Sequence, residues 1–427
     1  MKSISKTFLI ICTLGISSSA LGQTDQSDNS NVITTAVPFL TITPDARHGA
    51  MAGVGAATSP DVFDNAHNPA KLAFAEDQGA LAFSYTPWLG ALVQGINLSY
   101  VSGYYKIDKL STVGASLRYF TLGDIQFTNE NGDPTIQHRP NEFSIDGAYS
   151  RKLADRFSMS ISLRFIYSNL TGGTSVSNAQ TKPGLAVASD IYAYYQNDDI
   201  EIGEKDATLA FGSGISNIGN KMTYSNLDED DFLPMNFKIG GNLTLHLDDY
   251  NDISFMVDMN KLLVPTPPIY NSATGEIIAG RDPNRTVASS IITSWYDAPG
   301  TLVTNSIGEP ILDANGMAEA ESGSVLREEL RELYFGFGFE YWYNKLFAAR
   351  AGYFAEHATK GNRKYLTFGI GVKYNIFTLD MSYLVPLYVG NQQFVGTSPL
   401  ANTIQFSLGF IFSGEGKSSS SGSEGSF

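Results

Sequence analysis

From Leu366 to Ile376 apolar side chains occupy every second position. Leu366, Phe368, Ile370, Val372, Tyr374 and Ile376 share one parity, and Thr367, Gly369, Gly371, Lys373 and Asn375 the other. Successive side chains point to opposite faces of a strand, so this segment has one greasy face and one small or polar face. Phe335, Phe337, Phe339, Tyr341 and Tyr343 repeat the pattern opposite Gly336, Gly338, Glu340 and Trp342. Met159, Ile161, Leu163, Phe165 and Tyr167 do so opposite Ser158, Ser160, Ser162, Arg164 and Ser168. Ile404, Phe406, Leu408, Phe410 and Phe412 do so opposite Thr403, Gln405, Ser407 and Gly409. Strands are predicted at 79–86, 93–102, 110–122, 141–153, 156–170, 185–196, 207–215, 233–247, 252–263, 331–344, 346–356, 363–376, 378–388 and 401–412. That is about 14, an even number, as single-chain membrane barrels have.

A soluble sandwich also alternates, so three further features decide. Many of the segments are about 10 to 15 residues long, against a mode of about 5 to 6 in soluble sheets, and a tilted membrane-crossing strand needs about 9 to 11. Tyr85, Trp88, Tyr100, Tyr104, Tyr105, Tyr341, Trp342, Tyr343 and Tyr388 crowd strand ends, as aromatic girdles do. Connections after odd-numbered strands include the long 123–140, 171–184, 216–232, 264–330 and 389–400, whereas those after even-numbered strands are mostly short turns. Outer-membrane barrels sort their loops this way, and a sandwich has no reason to. The chain therefore reads as all-β: an antiparallel transmembrane β-barrel of about 14 strands. Glycines on the inner parity (Gly336, Gly338, Gly369, Gly371) leave room for another backbone, which fits an N-terminal plug in the lumen.

Composition narrows the picture further. The 427 residues are 12% aromatic and only 17% charged, with 41 glycines. Such a chain is neither largely disordered nor built from repeated apolar runs of about 20 residues. The formal charge is −15 with no basic stripe, which argues against nucleic acid as a partner. Lys2 and Lys6, the apolar stretch Thr7 to Ile16, and Ala20-Leu21-Gly22 read as a secretory signal over 1–22. The sole cysteine, Cys12, lies inside it, so the exported chain has no disulfide. The expected organisation continues with a flexible lead-in at 23–42, the plug at 43–78, the barrel at 79–412 with a long outer loop at 264–330, and a disordered Gly/Ser-rich tail at 413–427.

Candidate chemistry is sparse. No G-x-S-x-G, H-E-x-x-H, Walker loop or Rossmann fingerprint is present, so no catalytic residue and no cofactor is expected. His48, His67, His138, His246 and His357 are scattered without an i, i+4 pair, and no metal site is expected. Asp228-Glu229-Asp230-Asp231 reads as a solvated loop before a calcium site, and Asp313-x-Asn315-Gly316 is weaker still. Charged residues within strands (Arg118, Arg164, Lys238, Glu340, Arg350, Lys373) would be costly facing lipid, so Arg118, Arg164, Glu340 and Lys373 are expected to line the lumen. Pro265, Pro267 and Pro268 cannot pair as a central strand. With Trp295 and Tyr296 they mark the long loop as an ordered partner surface, joined by Gln392, Gln393 and Phe394 of the last loop.

The segment Thr43 to Phe74 (TPDARHGAMAGVGAATSPDVFDNAHNPAKLAF) resembles the N-terminal hatch of the FadL-like outer-membrane superfamily, with Asp61 and Asn68-Pro69-Ala70 at the matching positions. Further blocks, among them Asn260 to Pro268, Asp297 to Gly300, Glu340 to Tyr343, Arg350 to Phe354, Lys360 to Tyr365, Ser382 to Pro386 and Pro399 to Thr403, are similar to the PorV family of the type IX secretion system of Bacteroidetes-type bacteria. That resemblance implies a plugged 14-stranded outer-membrane barrel with extracellular long loops and no enzyme activity as its main role. It implies a shuttle that docks beside a giant translocon barrel, receives cargo by its C-terminal sorting domain, and delivers it to a cell-surface sortase complex, with outer-membrane lipid around it. The alternative expectation is a FadL-like transporter of hydrophobic small molecules.

Overall fold

The computed structural model describes residues 31–90, 93–128, 131, 133–173, 175–176, 179–225, 230–387 and 398–412. Fourteen strands close into one antiparallel barrel: β1 Gly79–Pro87, β2 Ile96–Lys106, β3 Ser111–Leu122, β4 Asn141–Ala154, β5 Phe157–Asn169, β6 Gly184–Ile202, β7 Lys205–Gly219, β8 Asn236–His246, β9 Asn251–Leu262, β10 Tyr334–Tyr343, β11 Phe347–Ala355, β12 Lys364–Tyr374, β13 Phe377–Pro386 and β14 Thr403–Phe412. Each strand pairs with its sequence neighbour, and β1 closes on β14 with Gly79 opposite Phe412. Closure leaves no edge to satisfy in a solvent without hydrogen-bonding partners. Among the described residues no helix is long and apolar enough to cross a membrane.

The parity read from the sequence is the parity of the wall. Met159, Ile161, Leu163 and Phe165 point outward and are exposed, while Ser158, Ser160, Ser162 and Arg164 are buried in the lumen. Phe368, Ile370 and Val372 face outward opposite an inward-facing Thr367. The short connections form tight turns; Asn344 and Lys345 both take positive φ (53° and 52°), which closes β10 onto β11 in a single step.

Some expectations shift. β6 runs on to Ile202, past the predicted 196, and β7 starts at Lys205, just ahead of the predicted 207, because ladder pairing resumes beyond a bulge at Asn197–Ile200 where apolar alternation has stopped. β10 starts at Tyr334, since Ser324–Arg331 is taken up by a helix. Of the aromatic residues at strand ends, Tyr85, Tyr105 and Tyr343 are exposed on the outer wall, but Tyr100 is fully buried against Phe63 inside the barrel. Trp342 shares the inward parity of Glu340 and lies beside the Arg350 guanidinium, 5.4 Å from its ring centroid. Those two side chains fill the lumen and are not part of a girdle.

Residues 36–78 cross the lumen as short helical turns with no strand: 3₁₀ turns at Pro38–Thr41, Val62–Ala66 and Pro69–Phe74, and the helix α1, Ala46–Gly49. Packing starts ahead of residue 43: Val37 and Phe39 are buried, and Phe39 stacks on Phe120 of β3. The chain is at the long-loop end at Asn31, whose N–H donates to Thr359 O and whose Nδ2 donates to Pro267 O. It leaves at the opposite mouth, where Lys106 donates to Ala75 O and Gln78 O.

Candidate functional site: a plugged lumen and a braced loop platform

Plug and wall are joined by buried polar contacts that neither could satisfy alone. Asp45, Asp61 and Asn68 each cap a helical turn, accepting from His48 N, Phe63 N and Ala70 N respectively. Asn68 also donates to Ala56 O at 2.8 Å and to Ala193 O of β6 at 3.2 Å. Pro69 starts its turn where no N–H is needed, and the carbonyls of Pro69 and Ala70 accept from Ser150 of β4 and Ser158 of β5. Asp258 of β9 receives Gly55 N and Ala56 N on one oxygen, at 2.8 and 3.0 Å. The sequence signal for this region, Asp61 and Asn68-Pro69-Ala70, therefore marks caps and crossings that lock the plug to the wall.

Elsewhere the plug packs closely against wall positions that lack a side chain. A Cβ at Gly352 would collide with the backbone of Met51 and Ala52, and one at Gly212 with the carbonyl of Ala56. Gly336, Gly338 and Gly369, predicted to admit another backbone, face Val54, Met51 and Ala50, while Gly371 makes room for Arg350 and Asp380.

Charged residues fill the remaining space in opposed sets. Arg47 pairs with Glu340 and Asp61, and Arg350 with Glu340 and Asp380, both at 2.6 Å. Arg164 pairs with Asp146 and Asp190. Arg118 donates to the carbonyls of Phe39, Leu40 and Ile42, fixing the top of the plug. Arg118, Arg164 and Glu340 thus line the lumen, whereas Lys373 has the inward parity but sits half-buried one turn from the short-loop mouth, away from these pairs. What remains open is a cavity of about 160 Å³ bordered by Arg118, Lys238, Asp258, Tyr334 and Tyr365.

Asp45, His48 and His67 come together in the plug, each histidine 2.8 Å from one oxygen of Asp45. Their rings are stacked at 3.8 Å and 28°. Nearly parallel rings cannot aim two in-plane lone pairs at one ion, so the trio suits a shared-proton network better than metal ligation. Asp228 and Glu229 lie outside the described residues.

The long connection at 264–330 is ordered. It contains α2, Val287–Thr293, and α3, Ser324–Arg331, and it folds down over the outer wall of β8 and β9. Lys261 has the outward parity of Val257 yet is 1% exposed. Its ammonium is held by Glu329 at 3.1 Å and Glu332 at 2.5 Å, with Trp295 5.5 Å away. Glu332 also binds Lys360 and Thr266. Glu328 binds Lys360, Asn31 and the N–H of Gly300. Burial alone would raise the Glu328 carboxyl, but Lys360 and the other donors outweigh it and hold it below the usual range. Burial dominates at Glu329 and Asp297, which are pushed up.

The predicted partner residues divide. Trp295 packs edge-on against Phe237 and braces the platform while remaining 42% exposed. Tyr296, 44% exposed, lies against Arg281. Pro265 and Pro267 are half-buried and Pro268 is buried, bordering a groove of about 240 Å³ with Phe232 and Tyr270. Gln392, Gln393 and Phe394 lie outside the described residues. The Lys261–Glu329–Glu332–Lys360 brace was missed; its one signal was a lysine on the greasy parity at the end of β9.

Residues 24–269 match the family model described as type IX secretion system protein PorV. No curated protein matches the chain. Among solved structures, the CymD monoaromatic hydrocarbon channel is similar at 12% identity over 87% of this chain and 98% of its own, with a TM-score of 0.44. The Ralstonia pickettii toluene transporter TbuX is similar at 11% identity over 87% and 98%, TM-score 0.42. A Pseudomonas aeruginosa FadL homologue is similar at 12% over 90% and 99%, TM-score 0.40. With its closed antiparallel barrel and a family match over more than half its length, this chain belongs to the PorV family of type IX secretion system outer-membrane proteins.

Proposed function

We propose that this chain is the outer-membrane shuttle of its secretion system. It binds the C-terminal sorting domain of exported cargo at the giant translocon barrel and passes it to the cell-surface sortase complex. In this reading the long loops face the cell exterior, and the cargo surface is the platform of 264–330 with the 357–362 turn and the 389–400 loop.

The observation that carries the reading is the division of labour between lumen and platform. The lumen is occupied by a plug fixed at Glu340, Asp258 and Arg118, which leaves the loops as the larger accessible surface. The platform is held rigid by a buried ion network, and it displays Trp295 and Tyr296. Rigid aromatic residues on a pre-ordered surface supply binding area at low entropic cost. The alternative, transport of hydrophobic small molecules, is weakened by the residual cavity. Bordered by Arg118, Lys238 and Asp258, it is more polar than the mostly apolar pockets that take such ligands.

Deleting 271–325 tests the proposal. The barrel should still fold, judged by heat-modifiable gel migration, because Lys261, Glu329, Glu332 and Lys360 all remain. Co-purification of sorting-domain cargo should be lost. A deleted protein that still captures cargo removes the platform from the proposal. A knockout that secretes normally but fails to grow on long-chain fatty acids replaces it with the transporter.

A further inference from the structure

The rim above β10, β11 and β12 carries positive charge that the described structure does not neutralise. Glu328 and Glu329 of α3, and Glu332 at its C-terminal cap, turn inward to Lys261 and Lys360. Leu326, Arg327 and Leu330 turn outward, and the two leucines are 65% and 59% exposed. Arg331 follows on the flank of the same helix. Phe335 of β10, Ala355 of β11 and Lys364 of β12 lie directly opposite one another across the ladder. Lys364 has the outward parity of Phe368 and Ile370 and stands at the top of that lipid-facing row. His357 sits in the same rim, where burial, then Arg331, Lys364 and Lys360, hold it below the ordinary imidazole range.

Of these cations Lys360 is taken by Glu328 and Glu332. Arg327, Arg331 and Lys364 meet no carboxylate within salt-bridge reach among the described residues. On a chain with a formal charge of −15, three uncompensated cations beside two exposed leucines are not the by-product of a basic surface. Guanidinium forks match phosphate oxygens two at a time. A lysine at the end of a lipid-facing row extends its stem along the wall and its ammonium to the headgroup level.

We infer that this rim binds the phosphate groups of a lipid A-type glycolipid of the surrounding leaflet, through Arg327, Arg331 and Lys364, with Leu326 and Leu330 against its acyl chains. The inference rests on the reading that the long loops face the exterior.

The test uses the purified full chain in dodecyl maltoside, incubated with bisphosphorylated lipid A and read by native mass spectrometry. The wild type should retain the lipid. The R327Q/R331Q/K364Q variant should retain roughly tenfold less or lower still, and R327K/R331K/K364R should retain most of it. Dephosphorylated lipid A should bind the wild type as poorly as intact lipid A binds the glutamine variant. Equal retention by the wild type and a glutamine variant that still shows heat-modifiable folding overturns the inference. So does undiminished binding of the dephosphorylated lipid, or complete displacement by inorganic phosphate, which would make this a free-anion site. A variant that keeps lipid A but loses the translocon barrel assigns the patch to a protein partner and overturns it as well. Orientation is tested separately by labelling a Ser322→Cys variant on intact cells with a membrane-impermeant maleimide. Failure to label removes the exterior placement of the loops; labelling together with equal lipid retention removes the lipid inference alone.

Discussion

Arg47 of the plug and Glu340 of the barrel wall, 293 residues apart in sequence, form a two-point pair, with Nη2 to Oε1 at 3.0 Å and Nε to Oε2 at 3.2 Å. The same carboxylate accepts from Arg350 Nε at 2.6 Å. One side chain thus holds the plug and completes the wall.

Replacing that carboxylate leaves two buried guanidinium groups without their shared partner. Glu340→Ala is expected to lower stability by about 3–5 kcal/mol, seen as a lower temperature of heat modification on gels. Arg47→Met with Glu340→Leu, which removes charge from both sides of the plug contact, should recover part of the loss. A Glu340→Ala protein as heat-resistant as the wild type would show that the pair does not secure the plug.

Gly352→Val places methyl groups where the Met51–Ala52 backbone runs. Overpacking typically costs about 1–3 kcal/mol, and here the obstacle is main chain that cannot rotate away. Limited proteolysis should release residues near 51 while β-content by circular dichroism stays. Gly147→Val, on the outer wall where a Cβ meets nothing within 4 Å, is the control and should be silent.

Asn68→Ala removes a cap to Ala70 N and donations to Ala56 O and Ala193 O. Leaving buried carbonyls unpaired costs about 1–3 kcal/mol. Asn68→Asp should be at least as damaging, because a carboxylate cannot donate to either carbonyl. Thermal denaturation of the two variants checks this; equal stability of Asn68→Asp and wild type contradicts the assigned donor roles.

Acid should loosen the platform within a defined window. Glu328 is held below its ordinary value. The stability it contributes is therefore fully present above the unfolded glutamate pKa of about 4.3 and disappears as pH falls through the lower folded value. Glu329 acts in the opposite sense: burial raises it, so acidification relieves its cost and partly offsets the loss. Acrylamide quenching of Trp295, with Trp88 and Trp342 replaced by Phe, should be flat from pH 7 to 5 and rise below about pH 4. Glu328→Gln should raise quenching at neutral pH and flatten the profile.

The barrel is legible in the chain because its signal is local. Each strand alternates by itself, as Leu366 to Ile376 does, and loop lengths sort without knowledge of partners. Inner glycines such as Gly336 and Gly369 are legible as gaps, although what fills them is not. The ion pairs resist sequence reasoning because they are long-range: nothing near Glu340 points to Arg47, and nothing near Asp258 points to the amides of Gly55 and Ala56. Tyr100 and Trp342 mislead because an aromatic residue near a strand end fits a girdle or a filled lumen equally well, and only its parity decides. Trp295 reads as a contact residue because it is an aromatic in a long loop, yet part of its ring packs on Phe237. Lys261 is the instructive miss: a charge on a lipid-facing parity implies a neutralising cover, and the following loop supplies one.

The amino-terminal stretch enters among the long connections at Asn31 and runs into the first strand at the opposite mouth, beside Lys106. In the finished barrel, where Gly79 meets Phe412, the wall encircles a cord laid along its axis. Drawing that cord out would mean pulling it lengthwise past every contact it makes with the wall, so the segment is held by its route as well as by its individual bonds.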